Sequence, residues 1–375
     1  TYRMNDAHNA NEPDHWGASE FKKKHPEFAV DVEAIKNNRA DWMSYCLDYS
    51  QQPVQDYILS SITDLASKYD VDGFQLDWMR FPRHLSGDSW SKRDALTNFV
   101  TSVRSMLDEI GNNRGKKILL SARVPTWLEG CKRLGINLAE WAKLLDFVTP
   151  APFLSCDYHI DFDSFRKTLS ANPMPIYAGT DMNHSGRCHT QESYRAWALT
   201  MYAQGADGLN LFNFPCWMEY LAEQPYDWIA DLDDIEKIKS KPALYTLVNN
   251  FYRVANIDQP TPLPVTIESG KSAKISFYIP ESALPSSRAL FLITSSGDFA
   301  FSVNGNDSIF PRKVASGNIF LMFTDQDTLN REPKANQCRT YTISPEKLKS
   351  NNSLEILNKS AESITISRLD LGLWY

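Results

Sequence analysis

At 375 residues, 42% of them hydrophobic and with charges of both signs, the chain is long enough for two domains with their own cores, which excludes disorder. A net charge of −7 leaves no basic surplus to neutralise phosphates, so nucleic acid is not an expected partner. The cysteines (Cys46, Cys131, Cys156, Cys188, Cys216 and Cys338) lack the spacing and histidine partners of a zinc site, and no stretch is apolar for long enough to span a bilayer. The chain opens at Thr1 inside an apolar–polar run and shows no targeting segment there.

From Thr1 to about residue 250, short β-rich runs alternate with helical periodicity, the pattern of βα units around a parallel sheet. Residues 1–6 form the first expected strand. A helix follows Pro53, with Val54, Tyr57, Ile58, Ile62, Leu65, Ala66 and Tyr69 on one face. It leads through Asp72-Gly73 into a strand over residues 74–78. The next helix aligns Leu96, Phe99, Val100, Val103, Met106, Leu107 and Ile110 on one stripe. Further strands are expected at 117–124, 147–153, 175–181 and 208–214, with shorter helices near 138–145, 162–169 and 192–204.

After Tyr252 the character changes. Residues 258–264 hold three prolines, a stiff connector that cannot continue a helix. Beyond it, apolar residues alternate with period two at 273–279, 289–294, 299–303, 319–323 and 363–371, which predicts a β-sandwich. The expected domains are therefore a (β/α) barrel over 1–254, a linker over 255–264 and an all-β domain over 265–375.

Active sites of (β/α) barrels gather where strands end. The strand ends offer Arg3, Asn5, Asp6 and His8, then Gln75, Asp77 and Arg80, then Ser121 and Arg123. Asp157 and His159 follow, then Asp181, Asn183 and His184, and finally Asn210 and Asn213. Alternate side chains face a barrel interior. Gln75 and Asp77 share a parity opposite to Phe74, Leu76 and Trp78, and Arg3 shares one with Asn5, Ser121 with Arg123, and Tyr177 with Asp181. A salt bridge or loop cap is an equal alternative for any single member. Convergence over five strands is harder to explain as structure alone, because buried charges need partners.

Two facing carboxylates suffice to break a glycosidic bond, one as proton donor and the other as nucleophile or base. Asp77 and Asp181 are the expected pair, across a shared cleft, with His8 or His184 as alternative acids. Arg3, Asn5, His8, Gln75, Arg80, Arg123, His184 and Asn213 are expected to position substrate. Trp78, Trp127 and Trp217 offer stacking faces for sugar rings, with core packing an equal alternative for each. Asp77→Asn is expected to remove most turnover and leave the melting temperature nearly unchanged. No metal or organic cofactor is implied.

The segments Tyr2-Arg-Met-Asn-Asp-Ala-His8, Leu47-Asp-Tyr-Ser50, Tyr69-Asp-Val-Asp-Gly-Phe-Gln-Leu-Asp-Trp-Met-Arg-Phe-Pro82, Ala122-Arg-Val-Pro125 and Gly208-Leu-Asn-Leu-Phe-Asn-Phe214 carry a resemblance. They look like a group of bacterial glycoside-hydrolase-like TIM-barrel proteins, over about two-thirds of the chain. The Asp-Gly-x-x-x-Asp-x-x-Arg portion also resembles the fourth-strand motif of retaining glycosidases, in which the second Asp is the nucleophile; that implies this role for Asp77. If the Asp77 strand is the fourth, residues 1–6 form the third. Two opening βα units of a (β/α)8 barrel are then missing, to be supplied by another fragment or a neighbouring chain. The resemblance implies a carbohydrate-active hydrolase of oligo- or polysaccharides, in an extracytoplasmic setting (periplasm, cell surface or secreted). The rivals are a non-catalytic glycan-binding protein on the same scaffold, which needs no opposed carboxylates, and a polysaccharide lyase, in keeping with the arginines.

Overall fold

The computed structural model describes residues 1–12, 15, 19–153, 158–181, 183–184, 187–214, 226–247, 257, 259–306, 310–312 and 338–375. Trp217 and Asp157 lie outside the described residues, as do the side chain of His184 and the expected strand at 319–323. The chain is mixed α/β, with parallel strands first and separate antiparallel sheets last. It divides into two compact units: Thr1–Phe153, Ile160–Tyr177 and Val254–Gln259 form one, and Leu154–His159, Ala178–Arg253 and Pro260–Tyr375 the other.

In the first unit, β1 (Tyr2–Arg3), β2 (Gly73–Asp77), β3 (Leu119–Val124) and β4 (Phe147–Pro150) form a parallel sheet in chain order. A bridge from Val148 to Ile176 continues the parallel order. Two short helices, α1 (Glu20–Lys24) and α2 (Val32–Lys36), precede α3 (Gln52–Lys68). Helix α3 takes Pro53 in its first turn and buries Val54, Ile58, Ile62 and Ala66, one per turn. Helix α4 (Arg93–Arg114) buries Leu96, Phe99, Val100, Val103 and Leu107 and stops at Gly115, whose φ of 70° is the left-handed cap. Each of these aliphatic or aromatic side chains contributes about 1.5–3 kcal/mol by leaving water. Gly73 is required where β2 passes β3, since a Cβ there would sit 2.8 Å from the Leu119 carbonyl oxygen. Helices α5 (Leu128–Leu134), α6 (Leu138–Trp141) and α7 (Phe162–Thr168) complete this unit. Among the described residues, β1 pairs only with β2.

The expected strand at 175–181 is β5 (Tyr177–Asp181), which spans the boundary between the units; the two-residue strands β6 (Asn183–His184) and β7 (Arg187–Cys188) pair with each other. Helix α8 (Gln191–Ala203) starts from a capping box made by Thr190 and Ser193. Strand β8 (Gly208–Phe212) pairs with β5, and α9 (Ile235–Ile238) leads into β9 (Ala243–Leu247).

The remaining strands among the described residues are β10 (Val265–Ile267), β11 (Ser272–Tyr278), β12 (Arg288–Ser295), β13 (Phe299–Val303), β14 (Phe310–Arg312), β15 (Cys338–Ile343), β16 (Asn351–Asn358) and β17 (Ile364–Trp374). One antiparallel sheet runs β10-β17-β12-β15-β14 and the other β11-β16-β13. Phe277 and Phe301 of the smaller sheet meet Phe291 and Tyr341 of the larger one, with centroids 4.5–6.0 Å apart, so the two faces share a core. The larger sheet also takes in β9, which pairs antiparallel with β17 from Ala243↔Leu373 to Leu247↔Leu369. That strand lies within 1–254, on the barrel side of the expected linker. A five-residue apolar run carries no periodicity that would reveal a partner beyond the prolines. Thr246 Oγ1 donates to Asp370 Oδ1 at 2.9 Å, and Arg368 Nε donates to Asp370 Oδ2 at 2.5 Å, so a buried ionic knot pins β9 to β17.

Candidate active site at the Asp77 strand end

Strand register sets residues of one parity side by side. Arg3 pairs with Asp77, Asp77 with Arg123, and Arg123 with Thr149; one layer earlier Gln75 pairs with Ser121. Gln75 Nε2 donates to Thr149 Oγ1 at 3.1 Å and its Oε1 accepts from Thr1 Oγ1 at 3.0 Å. Trp78, of opposite parity, turns towards the helices and packs on Phe99 and Trp141.

Asp77 is fully buried and Arg123 is 1% exposed. Asp77 Oδ1 accepts three hydrogen bonds, from Met79 N (2.9 Å), Arg80 N (3.1 Å) and Arg123 Nη1 (3.0 Å). Arg123 Nη2 donates to the Pro152 carbonyl at 2.9 Å. Asp77 Oδ2 is buried and has no partner among the described residues. One carboxylate oxygen is thus fixed while the other keeps its lone pairs, as a nucleophile or base requires. Asp77 and Arg123 form a buried ion pair, so Asp77→Asn, expected from sequence to leave the melting temperature nearly unchanged, removes the carboxylate charge facing the guanidinium and should lower stability.

The chain after Asp77 carries the cluster outward. Arg80 Nη2 donates to His8 Nε2 at 3.2 Å, which leaves the proton on Nδ1, where it bonds Asp6 Oδ1 at 2.6 Å. Asp6 Oδ2 accepts from Arg3 Nη1 at 3.0 Å and the Asp6 carbonyl from Lys22 Nζ at 2.5 Å. Partial burial pushes the Asp6 carboxyl up, but the His8 amide, the His8 ring and Arg3 together hold it below the ordinary carboxylate value. Phe81 adopts a φ of 52°, left-handed and immediately before Pro82. It is held against the edges of His8 and Trp42, at 4.8 and 5.0 Å. Strain of about 1–3 kcal/mol at such a residue persists only where its surroundings dictate it. A cavity of about 470 Å³, lined by Asp6, His8, Lys22, His25 and Tyr45, adjoins the cluster.

Other expected site residues lie elsewhere or are spent. Asn5 is 2% exposed: its Nδ2 meets the carbonyls of Leu47 and Arg83 and Nδ1 of His84, and its Oδ1 accepts from Leu47 N. Its amide protons are thus used within the protein and its oxygen is buried against Leu47 N, so it ties β1 to two loops. Trp78 is fully buried among Tyr49, His84, Phe99 and Trp141, a core residue rather than a sugar platform. Trp127 donates to the Ile257 carbonyl at 2.5 Å and lies under the Arg133 guanidinium, 5.3 Å from it.

Asp181, fully buried at the end of β5, belongs to the second unit, and Asp77 to the first. Asn213 directly follows β8 with a left-handed φ of 58° and is half-buried. Next to Asp181, Thr180 Oγ1 meets His189 Nε2 at 2.9 Å, and His189 Nδ1 meets Ser193 Oγ at 2.9 Å. Burial lowers His189 to about 3 and His84 to about 4, so both rings are neutral hydrogen-bonding links. Neither stood out in sequence, because neither lies at the end of an expected strand.

No protein-family model matches the chain, and no curated protein does. Among solved structures, a glycoside hydrolase family 18 N-acetylglucosaminidase from Paenibacillus barengoltzii overlaps 49% of this chain and 77% of its own, at 13% identity and a TM-score of 0.38. The cell-surface-expressed chitinase ChiW from Paenibacillus sp. str. FPU-7 overlaps 95% of this chain and 48% of its own, at 10% identity and a TM-score of 0.39. Chitinase ChiA74 from Bacillus thuringiensis overlaps 85% and 77%, at 10% identity and a TM-score of 0.35.

Proposed function

We propose that the chain is a carbohydrate-active hydrolase that cleaves glycosidic bonds, with Asp77 as nucleophile or base. The observation that carries this reading is the asymmetry of the Asp77 carboxylate, one oxygen held by Arg123 and two backbone amides and the other without a partner among the described residues. A parallel-strand end is where such barrels place their chemistry. Asp181 is the proposed proton donor, and Arg3, His8 and Arg80 the residues that orient substrate; the Asp6–His8 pair is the alternative acid. The mechanism needs one carboxyl to protonate the leaving oxygen while Asp77 attacks the anomeric carbon or activates water. The edge of β1, paired only with β2 among the described residues, is where two further βα units would add to complete the proposed barrel. An extracytoplasmic location accompanies this reading; among the described residues, no helix is long and apolar enough to cross a membrane.

A second reading, a glycan-binding protein without turnover, is favoured by the closure of Asp77 from solvent. Screening a panel of oligo- and polysaccharides for released reducing ends separates the two, with Asp77→Asn as the paired control. Hydrolysis by the wild type that the variant lacks supports the enzyme. Binding without hydrolysis, or equal turnover in the variant, removes Asp77 from any catalytic role.

A further inference from the structure

The second unit contains a cavity of about 780 Å³, a volume typical of small-ligand sites. Its walls come from β9, β11, β16 and β17, the end of α8, Tyr158 and Pro260–Pro262. None of these residues belongs to the Asp77 cluster, so this site stands or fails independently of the proposed hydrolysis.

Much of the wall is already committed. Tyr158 Oη shares its one proton between the carbonyls of Ser193 and Leu244, at 2.9 and 3.0 Å, which fixes its ring. Thr246 is spent on Asp370, and Asn352 on Asn304 and Lys349. Other groups keep their capacity. Tyr278, Ser276, Asn351 and the Lys349 ammonium make no side-chain hydrogen bond or ion pair among the described residues, and none is fully buried. Tyr278 pairs with Asn351 across β11 and β16, so their side chains leave the same face of that sheet. Also in the lining, Tyr245 Oη and Gln204 Oε1 are buried without a partner among the described residues, a cost that a ligand or water hydroxyl reaching them would relieve.

The chemistry of the lining selects its occupant. Two half-buried tyrosine rings, Tyr158 and Tyr278, offer apolar faces, and Phe277, Leu369 and Leu371 are also in the lining. Hydroxyl and amide groups surround them; none of the described lining residues is acidic, and Lys349 is the single permanent cation among them. A metal ion finds no carboxylate among the described lining residues, and an anionic ligand finds one lysine. A pyranose presents C–H faces to tyrosine and hydroxyls to amides and an ammonium. We propose that this cavity binds a short neutral oligosaccharide, stacked on Tyr278 and hydrogen-bonded by Ser276, Asn351 and Lys349.

Calorimetric titration of the whole chain with cellotetraose, maltotetraose, mannotetraose and tetra-N-acetylchitotetraose tests this. At least one should bind, and Tyr278→Ala should weaken it by about tenfold, the loss of one aromatic face, while Tyr278→Phe retains most of the affinity. A double change at exposed positions, Lys349→Ala with Asn351→Ala, should weaken the same sugar severalfold and keep the fold should Tyr278→Ala unfold the sheet. Absence of binding by all four overturns the proposal. So does a Kd that ignores both the Tyr278 and the Lys349/Asn351 changes but responds to Arg80→Ala, which would put the sugar at the other site.

Discussion

Replacing Asp77 by asparagine tests structure and chemistry at once, because the residue is held in a buried pair. Removing one member of such a pair costs about 3–5 kcal/mol, mostly from the charge left behind. In Asp77→Asn the amide oxygen can still accept from Met79 N, Arg80 N and Arg123 Nη1, and Arg123 keeps its bond to the Pro152 carbonyl. The loss should therefore fall near the low end, about 3 kcal/mol. At roughly 2–4 °C per kcal/mol, the melting temperature should fall by about 6–12 °C. Replacing Arg123 as well, by methionine, removes the cation that has lost its Asp77 carboxylate and should recover at least half of that loss. Catalysis should not return with stability: turnover stays lost in both variants. Differential scanning calorimetry beside a reducing-end assay reads both quantities. A single variant that melts like the wild type, or a double variant no more stable than the single, would refute the role given to the buried pair.

Acid should weaken the first unit through His84, which burial lowers from its ordinary 6.5 to about 4. The native ring stays neutral while the unfolded one takes a proton, so stability is full above pH 6.5 and declines as pH falls towards 4, by up to about 3 kcal/mol; a His84→Asn variant should show a flatter decline over that range in denaturant titrations. Asp370→Ala removes the buried carboxylate that Arg368 and Thr246 share, and should cost about 3–5 kcal/mol. Amide exchange should then show β9 losing protection before the rest of its sheet; uniform loss would argue against a local knot. Burial raises the Cys46 thiol to about 12 and lifts Cys131 further, so a thiol reagent at pH 7.5 should leave both unmodified until the chain unfolds, and fast labelling of either would contradict that burial.

The strands carrying Asp77 and Arg123 were legible because Asp72-Gly73 and the alternation after it announce a turn and a parity. Parity also separated Gln75 and Asp77 from Trp78 correctly. It could not say what each inward group would meet. Asn5 looks like a substrate ligand until Leu47, 42 residues on, and Arg83, 78 residues on, consume its amide. Trp78 looks like a platform until three other aromatic rings close over it. The cavity around Tyr278 was illegible for the same reason, since its walls are drawn from residues 158–371. Local chemistry can be read from spacing, whereas sites assembled by distant segments cannot.

The pairing of β9 with β17 has a consequence for biosynthesis. Thr246 emerges from the ribosome 124 residues ahead of Asp370, its buried partner. Throughout that interval β9 presents an unpaired edge of Ala-Leu-Tyr-Thr-Leu, a template for strands of other nascent chains. The larger sheet cannot close until β17 arrives to take β12 on one side and β9 and β10 on the other. Folding of this unit therefore waits until β17 has been made, and a holdase that shields β9 during that interval should raise the yield of native protein more than one acting later.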